Sequence, residues 1–284
     1  MMIEVNGTRL YFDVEGAGLV TDGDRMRQRP TLLLLHGGPG ADHSIYKPAF
    51  SALTDVAQVV YLDHRGNGRS DGQNPETWTL AQWGDDVRAF CEALRIERPI
   101  VLGVSFGGFV AQSYATRHPD HPGALILAST AARIDFEVIL RTFGELGGPD
   151  AEAAARDYWM EPSSVSRLRY REICLPLYTV TRAKPDWVRR AIIKDDVALW
   201  FNGPHNEMGR MDFREDLARV TCPTQIMYGD QDPMTPPVFH NEIAEGLVNA
   251  AFRMRRFERA GHGIVPDRPD AAFEAIRDFI RSVA

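Results

Sequence analysis

Ile100-Val101-Leu102-Gly103-Val104-Ser105-Phe106-Gly107 reads as a run of β formers that stops on a serine, with a helix-like segment beginning near Gly107. A serine hydroxyl is a poor nucleophile unless a sharp strand-to-helix turn exposes it, and glycines on both sides permit such a turn where a Cβ would clash. Gly-x-Ser-x-Gly alone is a common turn sequence. Its position after a strand and before a helix is the setting that the chemistry requires.

Outward from this turn the chain alternates. Thr31 to Leu35, Val56 to Leu62, Ala124 to Ala128, Gln225 to Gly229 and Ala251 to Phe257 are short and mostly apolar, as strands of a buried sheet are. Helical spacing runs through Leu80 to Leu94, Gly107 to His118, Val238 to Leu247 and Ala271 to Val283. Strands alternating with helices predict an α/β fold, a mostly parallel central sheet flanked by helices. An opening hairpin is expected around Asn6-Gly7, and Gly16 to Pro30 reads as an exposed loop. Residues 131–216 break the rhythm: rich in charge, Trp and Tyr and interrupted by prolines, they predict a helical cap inserted into a core made of 1–130 and 217–284.

Such sheets bind ligands at the carboxyl ends of their strands, and further reactive residues follow two late strands. Gly229-Asp230-Gln231-Asp232-Pro233 follows one, and Gly261-His262-Gly263 the other. The order serine, acid, histidine gives Ser105, Asp232 and His262 as the candidate triad, with Asp230 as the competing acid. His262 would take the serine proton while Asp232 orients the imidazole. An oxyanion needs donors: the N–H of Phe106 and one from His36-Gly37-Gly38-Pro39-Gly40, where Gly38 is preferred and Gly37 stands next to it. His36 reads as a loop-shaping residue. Asp63-His64-Arg65-Gly66-Asn67-Gly68-Arg69-Ser70 reads as a structural turn.

The 284 residues allow one large catalytic domain with an insert, and 44% hydrophobic with 25% charged residues is an ordinary globular mix. A net charge of −7 without a Lys/Arg stripe argues against nucleic acid. Charges scattered through the first residues exclude a signal peptide, and no apolar run approaches the ~20 residues of a membrane span. The expected protein is therefore soluble and cytoplasmic, with neither nucleic acid nor membrane as a partner. Cys91, Cys174 and Cys222 lack ligand-like or disulfide spacing and read as buried thiols. No phosphate-binding loop or metal motif is present, so no cofactor is expected.

These motifs resemble the α/β-hydrolase superfamily across nearly the whole length, and within it the prolyl iminopeptidase-like peptidases. The finer likeness rests on His36 to Gly40, on Asp63-x-Arg65-Gly66-x-Gly68-x-Ser70, and on Phe201-Asn202-Gly203-Pro204-His205-Asn206-Glu207. It implies an α/β-hydrolase fold, an oxyanion loop at His36 to Gly40, and Glu207 as the cap residue holding a substrate ammonium. The family's second cap carboxylate has no match in Ile173 to Pro185, which leaves Glu172 or Asp186 as displaced substitutes. The expectation is a serine hydrolase working through an acyl-enzyme on a small-molecule or short-peptide substrate, first an aminopeptidase or amidase releasing a residue such as proline. A carboxylesterase or lactonase is the alternative, and a non-catalytic ligand-binding protein a further one. Tyr158, Trp159, Tyr170, Tyr178, Trp187 and Trp200 are candidates for the pocket wall, each set against a place in the core.

Overall fold

In the computed structural model both residues of the Asn6-Gly7 turn take positive φ, 47° and 70°. That twist suits a two-residue hairpin. β1 (Met2–Val5) and β2 (Thr8–Glu15) pair antiparallel across it, with Val5 opposite Thr8. The structure describes residues 1–181 and 187–284.

One expectation needs correcting at once. Gly16 to Pro30 is not all loop: β3 (Leu19–Asp22) and β4 (Arg25–Gln28) form a separate hairpin closed by Gly23 and Asp24. Almost every residue of the pair is exposed. With no buried face there is no apolar alternation to betray a strand.

The remaining strands are β5 (Thr31–Leu35), β6 (Gln58–Leu62), β7 (Ile100–Val104), β8 (Ala124–Ala128), β9 (Thr224–Gly229) and β10 (Phe252–Phe257). They join β1 and β2 in an eight-stranded sheet ordered β1-β2-β6-β5-β7-β8-β9-β10. All pairs from β6 to β10 are parallel. β6 begins later than expected because the N–H groups of Val56 and Ala57 return to Leu53 O and close the preceding helical turn.

Helices α1 (Leu80–Ala93) and α2 (Phe106–Arg117) precede β8. Between β8 and β9 come α3 (Phe136–Gly147), α4 (Pro149–Met160), α5 (Ser164–Ile173), α6 (Trp187–Arg190), α7 (Asp195–Phe201) and α8 (Glu207–Arg210). This is the inserted helical cap, and a bridge between Arg133 and Asp212 brings its two ends together. α9 (Pro237–Gly246), α10 (Ile264–Asp267) and α11 (Pro269–Val283) complete the chain.

Because side chains alternate across a strand, the sheet buries two different faces. Leu33, Leu35, Val101, Leu125 and Leu127 pack with Val87, Phe90 and Val110 of α1 and α2. Leu32, Leu34, Leu102 and Ile126 pack with Phe273, Ile276 and Ile280 of α11. All three cysteines are buried free thiols, and burial pushes them up to about 12, 12 and 11 for Cys91, Cys174 and Cys222. They serve as packing groups. Among the described residues no helix is long and apolar enough to cross a membrane.

Candidate active site

Ser105 stands between β7 and α2 with φ 55° and ψ −120°. A non-glycine residue held there is strained by ~1–3 kcal/mol, so its neighbours must hold it. Its N–H donates to Ala128 O at 2.9 Å, and its carbonyl accepts from the Gly108 N–H at 2.8 Å and from Thr130 Oγ1 at 2.9 Å. Gly107 has ordinary φ but no room, since a Cβ there would lie 2.0 Å from Leu35 O. Close passage of helix over strand, more than backbone freedom, demands that glycine. Ser105 stays half-buried while the α2 residues that follow it are buried, which exposes its side chain at the carboxyl edge of the sheet.

His262 follows β10, and its Nδ1–H donates to Asp232, at 3.0 Å to one carboxylate oxygen and 2.8 Å to the other. That bond leaves Nε2 as the basic nitrogen. Asp232 is fully enclosed and also accepts from the N–H of Met234 (2.8 Å), the N–H of Thr235 (2.8 Å) and Thr235 Oγ1 (2.7 Å). Burial works to raise its pKa, but the charge and hydrogen bond of His262, with the bonds from Thr235, outweigh it and hold the carboxyl below its ordinary value. Asp230 instead faces Arg256 at 3.1 Å. Geometry thus pairs His262 with Asp232.

Three further residues hold this pair; Thr235 and Ser129 went unmarked in the sequence, and Tyr178 was marked there only as a candidate for the pocket wall. Thr235 completes an Asx-type turn around Asp232. Ser129 Oγ donates to His262 O at 2.8 Å. Tyr178, from the cap, accepts the Gly263 N–H at 2.9 Å and sets its ring edge-on to His262 with centroids 4.8 Å apart. Each lies far from the others in sequence, so no local motif announces them.

In the loop after β5, Gly37 N–H is already spent on Tyr46 Oη at 3.0 Å. Among the described residues, Gly38 N–H and Phe106 N–H have no protein acceptor. Gly38, at φ 93°, is exposed to the cavity beside Ser105. Gly38 and Phe106 thus keep free N–H groups at the cavity wall, whereas the Gly37 N–H is engaged and a Cβ on Gly37 would lie 3.4 Å from the Ser105 Cβ. His36 is buried, with Nδ1–H donating to Gly37 O at 2.9 Å and Nε2 accepting from His64 N–H at 3.2 Å. Both ring nitrogens are occupied in shaping the loop. Phe106 is locked by Trp83 and Phe201, at centroid distances of 4.9 and 5.1 Å.

The turn after β6 is buried framework. Asp63 accepts from His43 N–H and Nδ1–H (2.9 and 2.7 Å) and from Arg69 N–H (2.9 Å), while Arg65 grips Asp86 through two bonds of 2.7 and 2.8 Å. Asp42, His43 and Asp63 lie close enough to hold a cation, but Asp42 is paired with Arg69 and Ser44, so the donors already have protein partners. Asn67 Oδ1 accepts the Gly40 N–H at 2.6 Å and ties this turn to the oxyanion loop.

Ser105, His262, Gly37, Gly38 and Phe106 line one cavity of about 600 Å³ beneath the cap. Tyr158, Trp159, Tyr170 and Tyr178 line it too; Trp200 does not, being exposed and packed edge-on to Trp78. The Trp187 side chain and Asp186 lie outside the described residues. Glu207 corrects the motif reading. It does not line this cavity: its Oε1 accepts the Leu80 N–H at 2.9 Å at the start of α1, and its Oε2 faces Arg210 at 3.5 Å. The unpaired amides of a helix N-terminus attract a carboxylate, and that demand has taken Glu207. Glu172 is exposed on α5 and is also absent from the cavity wall.

The strand order, the inserted cap and this cluster define a hydrolase, and the family model described as "alpha/beta hydrolase fold" matches residues 30–269. The chain belongs to that family. It is 28% identical over 290 residues to "Proline iminopeptidase PfmaB" of Pestalotiopsis fici, covering 98% of each chain. It is 27% identical over 286 residues to "Putative carbamate hydrolase RutD" of a Caulobacter species, covering 97% of each. Among solved structures, a proline iminopeptidase from Mycobacterium smegmatis superposes with a TM-score of 0.78 at 20% identity, over 99% of this chain and 97% of that one.

Proposed function

We propose that this protein is a serine hydrolase that cleaves small, neutral or anionic esters through an acyl-enzyme on Ser105. Ser105 Oγ attacks the ester carbonyl carbon while His262 Nε2 takes its proton, and the carbonyl electron pair moves to an oxygen held by the N–H groups of Gly38 and Phe106. Collapse expels the alcohol, which takes the proton from His262; water then repeats the sequence and releases the acid. Asp232 stabilises the imidazolium that forms in each half.

One observation carries the substrate class. Among the described residues that line the cavity there is no Asp or Glu, whereas Lys47, Arg167, Arg171 and Arg190 are there, Lys47 paired with Asp13 and Glu15 and Arg167 with Asp195 outside the lining. A free α-ammonium brought to such a wall loses its water and gains no anion, and an unpaired buried charge is costly. An ester needs no such partner. The second reading, an aminopeptidase, draws support from relatives named proline iminopeptidase, yet Glu207 is engaged at α1.

The test compares kcat/KM on p-nitrophenyl butyrate, prolyl p-nitroanilide and the N-blocked prolyl anilide, with Ser105→Ala as control. The proposal expects the butyrate to dominate and blocking the amine to leave anilide turnover unchanged or raised. Tenfold or greater preference for the free amine would replace it with the aminopeptidase.

A further inference from the structure

Part of the cavity wall is not under the cap. Leu102, Ala128 and Met227 come from β7, β8 and β9, Phe273 and Ile276 from α11, and Phe50 from the helical turn before β6. Ala128 sits beside both Val104 and Met227 in the sheet register. All six belong to the apolar cluster on the α11 face, whereas Phe106, Tyr158, Trp159 and Phe201 belong to the cluster on the opposite face. A single cavity that touches both clusters must pass around the carboxyl ends of β7 and β8, where Ser105 stands. It therefore has two lobes with the serine between them.

Among the described residues, the polar side chains beside the α11-side lobe are engaged with protein partners. Tyr46 Oη accepts from Gly37 N–H at 3.0 Å and donates to Leu35 O at 3.3 Å, and Ser129 Oγ donates to His262 O at 2.8 Å. Lys47 turns its ammonium to Asp13 and to Glu15, the latter at 3.0 Å. Water is held in a cavity by two to four polar partners, and here the nearby ones are engaged. Packed interiors keep few voids larger than a water molecule, so an apolar space opening on the serine is a place for an apolar group.

We propose that this lobe binds a linear aliphatic chain of the substrate. The inference rests on the esterase reading for turnover, though not for binding. The chain belongs either to the acyl group or to the alcohol, and two substrate series separate them: p-nitrophenyl esters from acetate to decanoate, and acetates from ethyl to decyl.

In one series kcat/KM should rise roughly three- to fourfold per methylene until the lobe is full, the gain expected for burying each CH2. Ala128→Leu narrows the lobe and should shift the optimum to shorter chains; Ile276→Ala widens it and should shift the optimum to longer ones. A flat profile in both series, or a wild-type profile in both variants, would overturn the proposal while Ser105-dependent cleavage of p-nitrophenyl acetate left the esterase reading standing. Calorimetry with 1-octanol on Ser105→Ala protein reads the lobe without turnover. Binding weakened several-fold by Ala128→Leu supports it, and no measurable binding contradicts it, whatever bond the enzyme breaks.

Discussion

At the scale of single residues, the site depends on groups that hold reactive atoms as much as on the atoms themselves. Ser105→Ala removes the proposed nucleophile and should lower ester turnover by about 10⁴-fold or more, since members of a triad act as a unit; stopped-time assays on p-nitrophenyl butyrate check this, and near-normal rates would exclude Ser105. Thr235→Val keeps the shape of the side chain but deletes its 2.7 Å bond to Asp232. Hydrogen bonds to charged groups contribute about 1.5–3 kcal/mol, so kcat should fall roughly ten- to hundredfold with little change in KM. An unaltered kcat would reduce Thr235 to a packing role. Asp232 was readable as an acid in the loop after β9, yet Asp230 two residues earlier fits the same local pattern. What separates them is contact with His262, thirty positions away in the chain. Glu207 shows the opposite failure: apart from the extra His205 the motif around it matches the family's, but its carboxylate answers to the Leu80 N–H, 127 positions away.

At the scale of elements, the strand-to-helix passage at Ser105 was legible because it needs local residues: β formers, then serine, then glycine. Gly107→Ala tests why. A Cβ 2.0 Å from Leu35 O forces α2 away from β5, and overpacking of this kind typically costs 1–3 kcal/mol, occasionally more. Urea unfolding should show that loss together with reduced kcat, because moving α2 moves the Phe106 N–H; wild-type values of both would contradict the crowding argument. Glu207→Gln should cost ~0.5–2 kcal/mol by weakening the end of α1, as loss of a helix cap does. KM for free-amine and N-blocked substrates should respond alike, and a selective rise for the free amine would restore Glu207 to the substrate. The exposed hairpin β3–β4 escaped the sequence reading because periodicity reports burial, and its strands bury almost nothing.

At the scale of the whole molecule, acid should weaken the fold before it dissolves the triad. His240 is enclosed on every side, stacks on Tyr228 with centroids 4.7 Å apart, and has no hydrogen-bond partner for either ring nitrogen among the described residues. Burial lowers its pKa from 6.5 to about 4, opposed by the charge of Asp232. His36 and His64 are lowered by burial as well. Between about pH 6.5 and 4 the unfolded chain binds a proton on His240 that the folded chain refuses, so stability falls as pH falls, by roughly 3 kcal/mol from this ring alone below pH 4. The depressed carboxyls of Asp63 and Asp232 act in the same direction at still lower pH, since they lose their stabilising charge only there. Urea midpoints at pH 7.5 and 5 should differ, and His240→Phe should flatten the difference; equal midpoints for the wild type would contradict the burial argument.

The alternation of strand and helix made the layered fold readable along the chain, whereas the two-lobed cavity needed the register of β7, β8 and β9 and the packing of α11, which no single segment encodes. All turnover proposed for that cavity depends on Ser105 as its nucleophile. The most direct measurement is intact-mass and peptide-mapping spectrometry after treatment with an alkyl fluorophosphonate, whose phosphorus bonds to a nucleophilic oxygen as fluoride leaves. One equivalent on the peptide containing Ser105, absent in Ser105→Ala and slowed in His262→Ala, is the predicted result. Labelling at another residue, or none at concentrations that modify serine hydrolases, would contradict it.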